Sequence, residues 1–431
     1  MLIRFEVSNF RSIRRATELS LVAIGQDRPE ARWAEQLGQS LLTVAGVYGP
    51  NASGKSNVIA ALTWLREAVQ NSLRYWLDEI PVEPFAFGDG PQNSSTFELE
   101  LLIDKVRFEY IVELDRSAVH YEGLFHYPEK RRRRVFEREG TELKLQRGLG
   151  SLSGTRELLT DQTLALSVAH RFDQPLVSEF VRAVMRTQTF GLVRRSRFPR
   201  IGGPYQPNSR PTVRWFEDPP STDQLALFEE TELGTTTERE QALALLRMAD
   251  LGIVDVLVDE EEIRFSMPSD TAPARSRRRV RLVHEAAEER APLDFVAESE
   301  GTQIWFQLVG PVLFALRSGA LLLFDELDAS LHPTLAAHLI GLFHDPATNP
   351  KGAQLIFTAH NTSLLKNLSR DQIWLTERNS AAETVLSAIA EFTVQRGRNS
   401  QDLEVAYLHG RFGALPDVNE LELLQSFRLI G

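Results

Sequence analysis

Apolar and polar positions along this chain change period several times, and each change marks an element. Over residues 2–9 they alternate with period two, as in a strand with one buried face. Residues 18–23 predict a second strand, and 26–39 are polar. The run Leu41-Leu-Thr-Val-Ala-Gly-Val-Tyr48 is densely apolar and predicts one strand buried on both faces. After a glycine-rich turn, Val58, Ile59, Leu62, Leu65 and Val69 recur at helical spacing, which predicts a helix over 56–70. Period two returns over 96–127. There Phe97, Leu99 and Leu101, then Phe108, Tyr110 and Val112, predict antiparallel strands joined at Asp104-Lys105.

The middle of the chain has weaker periodicity. A helix is expected over 164–186 and another over 235–248. Residues 190–220 are rich in Arg, Pro, Gly and Ser and read as loop, and 266–279 read as a linker between two short strands. Strong patterns resume toward the C-terminus. A helix over 300–316, a buried strand over 319–324, a helix over 333–343 and a buried strand over 353–358 form strand–helix units. With the unit at 41–70 they predict an α/β fold whose parallel sheet is split in sequence by an insertion. The expected division is an N-terminal lobe, 1–150, an insertion that is partly helical, 151–290, a C-terminal lobe, 291–391, and a tail, 392–431. No internal repeat and no sustained heptad pattern occurs, which argues against a long coiled-coil arm.

Composition narrows the class. A hydrophobic content of 42% and a charged content of 25% are those of a globular protein. The absence of cysteine excludes a disulfide scaffold, a thiolate zinc site, an iron–sulfur cluster and a cysteine nucleophile, and it fits a reducing cytosol. No apolar run approaches the roughly 20 residues of a membrane helix. The opening residues lack the layout of a signal peptide, so a cytoplasmic protein without membrane contact is expected. A net charge of −11 excludes indiscriminate coating of nucleic acid but leaves room for a local basic groove.

Candidate chemistry is concentrated at the ends of the apolar strands. Gly49-Pro50-Asn51-Ala52-Ser53-Gly54-Lys55-Ser56, followed by Asn57, stands between a strand and a helix, the context of a phosphate-binding loop. Glycines let successive N–H groups face one anion, and the helix N-terminus adds positive charge. Lys55 is suited to the β- and γ-phosphates, and the Ser56 hydroxyl to Mg2+. Leu321-Leu-Leu-Phe-Asp325-Glu326 carries two carboxylates at the end of a strand, where open α/β sheets bind ligands. Asp325 is suited to hold the metal and Glu326 to act as general base toward water. His360 follows the strand 353–358 and can donate to a γ-phosphate or orient water. Ser299, with Gly301 and Thr302, opens the helix at 300; taken alone this is an ordinary cap.

Together these motifs resemble the ABC-type ATPase heads of SMC proteins, RecF-like repair ATPases and the overcoming-lysogenization-defect family. In that resemblance 49–56 is the Walker A loop and 321–326 the Walker B strand. Ser299-Glu-Gly-Thr302 is the signature, Asp328 the D-loop residue and His360 the switch histidine. Arg11, in Ser8-Asn-Phe-Arg-Ser12, corresponds to an arginine that approaches the nucleotide. Glu298-Ser-Glu-Gly-Thr, Phe324-Asp-Glu-Leu-Asp-Ala-Ser-Leu-His-Pro333, Gln354-Leu-Ile-Phe-Thr-Ala-His-Asn361, Arg370-Asp-Gln-Ile-Trp374 and Gly410-Arg-Phe-Gly-Ala-Leu-Pro416 are similar to AAA-family ATPases of bacterial abortive-infection and phage-defence loci. The chain departs from ABC heads in two places: no glutamine takes the Q-loop position, and the signature lacks Leu-Ser-Gly-Gly.

The resemblance implies a P-loop parallel sheet with an antiparallel β layer, and ATP and Mg2+ as cofactors. It also implies a homodimer or higher homo-oligomer in which Ser299 completes the partner's site. The chain itself is not expected to be a nuclease of the OLD kind, because only about 55 residues follow the strand ending at 377, fewer than a usual domain needs. The resemblance therefore implies a sensor or regulatory ATPase of an anti-phage complex, with a separately encoded effector, a nuclease among the candidates. The alternative is a repair or chromosome-handling ATPase acting directly on DNA. Three basic runs, 131–134, 194–197 and 275–281, read either as solvated loop and hairpin ends or as contacts to DNA or RNA phosphates. Spacing alone leaves ATP and GTP open.

Overall fold

The dense apolar strands stack side by side and the alternating ones pair around them. The computed structural model describes residues 1–25, 28–76, 78–147, 149, 154–172, 174–192, 210–217, 236–249, 252–263, 275–287, 289–392, 400–411, 413 and 427. In chain order the elements begin with β1 (Leu2–Ser8), β2 (Thr17–Ser20), β3 (Ala31–Ala34), β4 (Gln39–Leu42), β5 (Val44–Tyr48) and α1 (Lys55–Tyr75). Then come β6 (Ser95–Ile103), β7 (Val106–Leu114), β8 (Val119–His126), β9 (Arg133–Glu139) and β10 (Glu142–Leu145). The middle holds α2 (Thr155–Leu158), α3 (Ala165–Ala169), α4 (Pro175–Met185), β11 (Gln188–Phe190), α5 (Arg210–Val213), α6 (Thr236–Ala249), β12 (Ile253–Ile263), β13 (Arg275–Ala286) and β14 (Glu289–Asp294). The last part holds α7 (Glu300–Ser318), β15 (Leu321–Phe324), α8 (Leu327–Ser330), α9 (Pro333–His344), β16 (Gln354–Ala359), β17 (Ile373–Arg378), β18 (Thr384–Ala388) and α10 (Ser400–Leu408).

Among the described residues two large sheets form. One is antiparallel, in the order β10-β9-β8-β7-β6-β1-β2; the other runs β11-β15-β16-β5-β17-β18 and is parallel except for β18. This is the phosphate-loop parallel sheet with an antiparallel β layer expected of an ABC-type head. The apolar face of α1, Val58, Ile59, Leu62, Leu65 and Val69, is buried in the core shared by both sheets. Gln354 ties the layers together. Its side-chain amide donates to Leu2 O and Leu42 O, both at 2.9 Å, and its carbonyl accepts from Leu2 N.

Several expectations need correction. The run 41–48 is two strands, because Thr43 bonds through its N–H and hydroxyl to Glu30 O; β4 pairs with β3 and β5 enters the parallel sheet. The polar stretch 26–39 thus contains half a hairpin. The helix expected over 164–186 is broken into α3, a 3-10 turn and α4, which starts afresh at Pro175 with the Gln174 side chain accepting from Val177 N. The insertion is narrower than 151–290: α3 and α4 pack on α1, and β11 joins the parallel sheet beside β15. The stretch 266–279 is only partly linker, since β13 begins at Arg275. β12 and β13 are long strands held by opposite charges across the ladder, such as Arg281 to Asp259 at 2.6 Å.

Long α7 carries Pro311 in its interior, which removes the donor to Gln307 O. The Thr212 hydroxyl from α5 donates to Gln307 O at 3.2 Å and accepts from Gly310 N at 2.9 Å, so the interruption is repaired from outside the helix. Among the described residues no helix is long and apolar enough to cross a membrane.

Candidate functional site

Three neighbouring parallel strands, β15, β16 and β5, end along one edge, and each ends in candidate chemistry. β5 leads into 49–54 and α1, β15 into Asp325-Glu326, and β16 into His360. The edge therefore gathers Lys55, Asp325, Glu326, Asp328 and His360 from segments far apart in sequence.

The phosphate loop is built for an anion. Gly49 (φ 149°) and Gly54 (φ 103°) have positive φ. A Cβ at Gly49 would lie 2.4 Å from Thr376 O, and one at Gly54 would lie 1.9 Å from Thr384 Oγ1. α1 has no side-chain cap and no acid in its first turn, so its leading N–H groups and the positive end of its dipole face the loop unopposed. Lys55 is 5% exposed and donates through Nζ to Gly49 O (2.8 Å) and Pro50 O (2.9 Å). Burial pulls its pKa down to about 8, against the opposing pull of Asp328, Asp325 and Glu326. Pro50, Asn51 and Ala52 form the outer rim of the loop, Asn51 and Ala52 exposed, and Ser56 and Asn57 are half-buried on the first turn of α1.

Threonines brace the edge. Thr358 Oγ1 donates to Asp325 Oδ1 (2.7 Å) and accepts from Glu326 N (2.8 Å). Glu326 is exposed and left-handed (φ 56°), an uncommon conformation for a residue with a side chain. Thr376 Oγ1 bonds Ser53 Oγ (2.6 Å), and Thr384 Oγ1 donates to Ser53 O (2.8 Å). Asp328 Oδ2 accepts from His360 N (2.9 Å) and Asn361 N (2.7 Å), while its Oδ1 is buried with no hydrogen-bond partner. The donor set fits a metal–triphosphate: a buried ammonium and an uncapped helix end for phosphates, the Ser56 hydroxyl and the Asp325 carboxylate for a hard cation.

Two candidates are engaged by contacts outside the loop. Arg11 is the first. Its guanidinium pairs with Glu83 at 3.2 Å and lies 5.2 Å from the Phe10 ring centroid. Its neighbour Ser12 accepts from Asn57 Nδ2 (2.6 Å) and bonds Thr384 Oγ1 (2.7 Å). Ser299 caps α7, accepting from Thr302 N at 3.1 Å, and Ser299 and Gly301 are exposed. A turn with left-handed Gly319 (φ 67°) reverses the chain from α7 into β15. Nineteen helical residues span about 28 Å and four strand residues about 13 Å, so the start of α7 overhangs the edge by roughly 15 Å.

The bracing residues Thr358, Thr376, Thr384 and Ser12 were not singled out from sequence. The available signal was a lone threonine at the end of each of two buried strands, Leu-Ile-Phe-Thr358 and Ile-Trp-Leu-Thr376. The basic runs are largely neutralised where they are described. Arg132 pairs with Glu109 (2.7 Å), Arg134 with Glu137 (3.0 Å), Arg279 with Asp294 (2.6 Å) and Arg281 with Asp259 (2.6 Å). The run 194–197 and the side chains of 275–277 lie outside the described residues.

Among solved structures, the SMC head domain from Thermotoga maritima is similar at 13% identity and a TM-score of 0.38, covering 91% of this chain and 99% of that one. An SmcHead bound to the C-winged helix domain of ScpA is similar at 14% identity and a TM-score of 0.42, covering 90% and 97%. No curated protein matches the sequence. A family model described as "AAA domain, putative AbiEii toxin, Type IV TA system" matches residues 44–366, which contain the phosphate loop, both carboxylates, Ser299 and His360. Since that match spans most of the 431 residues, the chain belongs to this AAA-domain family.

Proposed function

We propose that the chain hydrolyses Mg-ATP as a head-to-head dimer and serves as the sensor or regulatory subunit of an anti-phage complex whose effector is a separate protein. The observation that carries the hydrolytic reading is the convergence of Lys55, Asp325, Glu326 and His360 on one sheet edge beside the uncapped start of α1. Lys55 and the loop N–H groups bind the phosphates. Ser56 and Asp325 hold Mg2+, which when bound offsets the charge on the β- and γ-phosphate oxygens. Glu326 takes the proton of the attacking water, and His360 orients the γ-phosphate. The nucleotide-binding unit comprises 1–150 extended to β11, together with 291–391. The defence setting draws support from the wording of the family description, "putative AbiEii toxin, Type IV TA system".

Lys55 gives a pH-dependent test of the binding step. Its ammonium loses its proton near pH 8 in the protein. A bound phosphate favours the charged form and raises that pKa. Binding above pH 8 therefore takes up a proton, and affinity falls as pH rises, by at most about tenfold per unit. Nucleotide titration from about pH 7 to 9.5 checks this. A flat profile removes Lys55 from phosphate binding.

The dimer draws support from Ser299 and Gly301, exposed at a helix start that overhangs its own sheet edge. A Lys55→Ala chain and a Ser299→Arg chain, each inactive alone, are expected to recover up to about half of the wild-type activity per site when mixed. No recovery in the mixed dimer rules out composite sites. The alternative, an ATPase acting directly on DNA, requires DNA-stimulated turnover that weakens steeply with salt. The ion pairing of the described basic runs weighs against it.

A further inference from the structure

Three successive residues after β16 are held from two sides. The N–H groups of His360 and Asn361 both donate to Asp328 Oδ2. The hydroxyl of Thr362 donates to Glu404 Oε1 at 2.9 Å. Asn361 then caps the 3-10 turn Thr362–Asn367, its Oδ1 accepting from Ser363 N. The peptide carrying His360 is thus suspended between a carboxylate of the sheet edge and a carboxylate of α10.

α10 is a firm anchor for its half of this suspension. Leu403, Ala406 and Tyr407 fall on one helical face, and Ala406 and Tyr407 are each 6% exposed. They pack in the same core as Leu364 and Leu365 of the turn and Tyr48 at the end of β5. Glu404 sits beside this face, half-buried, where a hydrogen bond to an ionised acceptor is strong. On the other side Asp328 holds the segment by two N–H bonds to a single oxygen. Loss of Glu404 leaves that oxygen and the packing of the turn as the remaining ties on the His360 segment.

We propose that Glu404 is a positioning residue for nucleotide hydrolysis: through Thr362 it fixes the His360 segment, and α10 thereby sets the rate at which the site turns over. This rests on the hydrolytic reading above. A small misplacement of a group at the reacting phosphate lowers rate more than binding. A role confined to packing would change stability without a selective change in kcat.

The test compares Glu404→Ala and Thr362→Val, which remove the bond, with Glu404→Gln and Thr362→Ser, which keep an acceptor and a donor. The first pair is expected to lower kcat about five- to tenfold with KM and nucleotide Kd within about twofold. The second pair retains most of the rate, and the double variant Glu404→Ala/Thr362→Val is no slower than the slower single one. Peptides covering 358–366 exchange amide hydrogens faster in Glu404→Ala, while those of α1 are unchanged. Wild-type kcat in both Ala and Val variants overturns the proposal. So do Gln and Ser variants as slow as Ala and Val, or unchanged exchange over 358–366. Should the wild type show no turnover that Lys55→Ala removes, it is the hydrolytic reading that falls, and exchange alone then decides whether Glu404 holds the segment.

Discussion

Glu326→Gln is expected to lower kcat for ATP by about two to three orders of magnitude while nucleotide Kd stays within about twofold. Glutamine has the size and shape of glutamate, so the change removes basicity and little else. The backbone supports this selectivity. Glu326 takes a left-handed conformation, and its N–H is held by Thr358 Oγ1, which also holds Asp325. None of these contacts involves the Glu326 side chain, so the substitution leaves the edge intact. On the proposed reading Lys55, Ser56 and Asp325 continue to bind the metal–nucleotide, and a closed dimer accumulates. Single-turnover hydrolysis alongside equilibrium binding separates the two effects. Undiminished turnover excludes Glu326 as the base; equal losses of turnover and affinity point to a damaged site instead.

A second large effect is expected far from the nucleotide. Arg138→Met should destabilise the fold by about 3–5 kcal/mol, several times more than Arg132→Met just ahead of the same strand. Arg138 and Glu122 are both 0% exposed and 3.9 Å apart. Arg138 donates to Thr163 O (2.5 Å), Thr160 O (2.7 Å) and Gly140 O (2.6 Å). Glu122 accepts from Tyr110 Oη (2.9 Å), Ala165 N (2.5 Å) and Leu166 N (2.8 Å). Burial pushes the Glu122 carboxyl up, and Arg138 with these donors opposes the push. Removing the guanidinium leaves a buried carboxylate without its counterion and takes a donor from the carbonyl of buried Thr163, as well as from those of Thr160 and Gly140 on exposed residues. Arg132 is half exposed where it pairs with Glu109, which keeps a hydrogen bond from Tyr127 Oη (2.8 Å) when the guanidinium is lost, so less is left unpaired there. Denaturant unfolding of the two variants measures the contrast; similar losses would mean that the buried pair is not the tie it resembles.

The parts of the site legible in sequence were those whose chemistry is contiguous. Gly49 to Ser56 carries its own turn, charge and hydroxyl within eight residues, and the flanking apolar runs show which sheet edge it occupies. Asp325, Glu326 and His360 followed from the same logic of strand ends. What was illegible depends on partners far away in sequence. Thr384 and Ser12 meet Ser53 and Asn57 across more than 300 and 40 residues respectively, and no local pattern announces such a contact. β11 is three residues long and half polar, too short to register as a strand, yet it completes one side of the sheet. β12 and β13 read as short because their charged ends, acids at 259–262 and arginines at 275–281, show no polar–apolar alternation and declare themselves only when paired across the ladder. The pairing of Arg11 with Glu83 was equally illegible, because Glu83 lies in a stretch with no recognisable element.

The strand order also bears on how the molecule is made. β5 is buried between β16 and β17, which emerge from the ribosome about three hundred residues after it. Through most of synthesis an apolar strand and its phosphate loop wait without either neighbour, while the antiparallel layer can already close. Such a chain acquires its nucleotide site late and passes through states with an unpaired strand edge, open to pairing with another chain until β16 and β17 arrive.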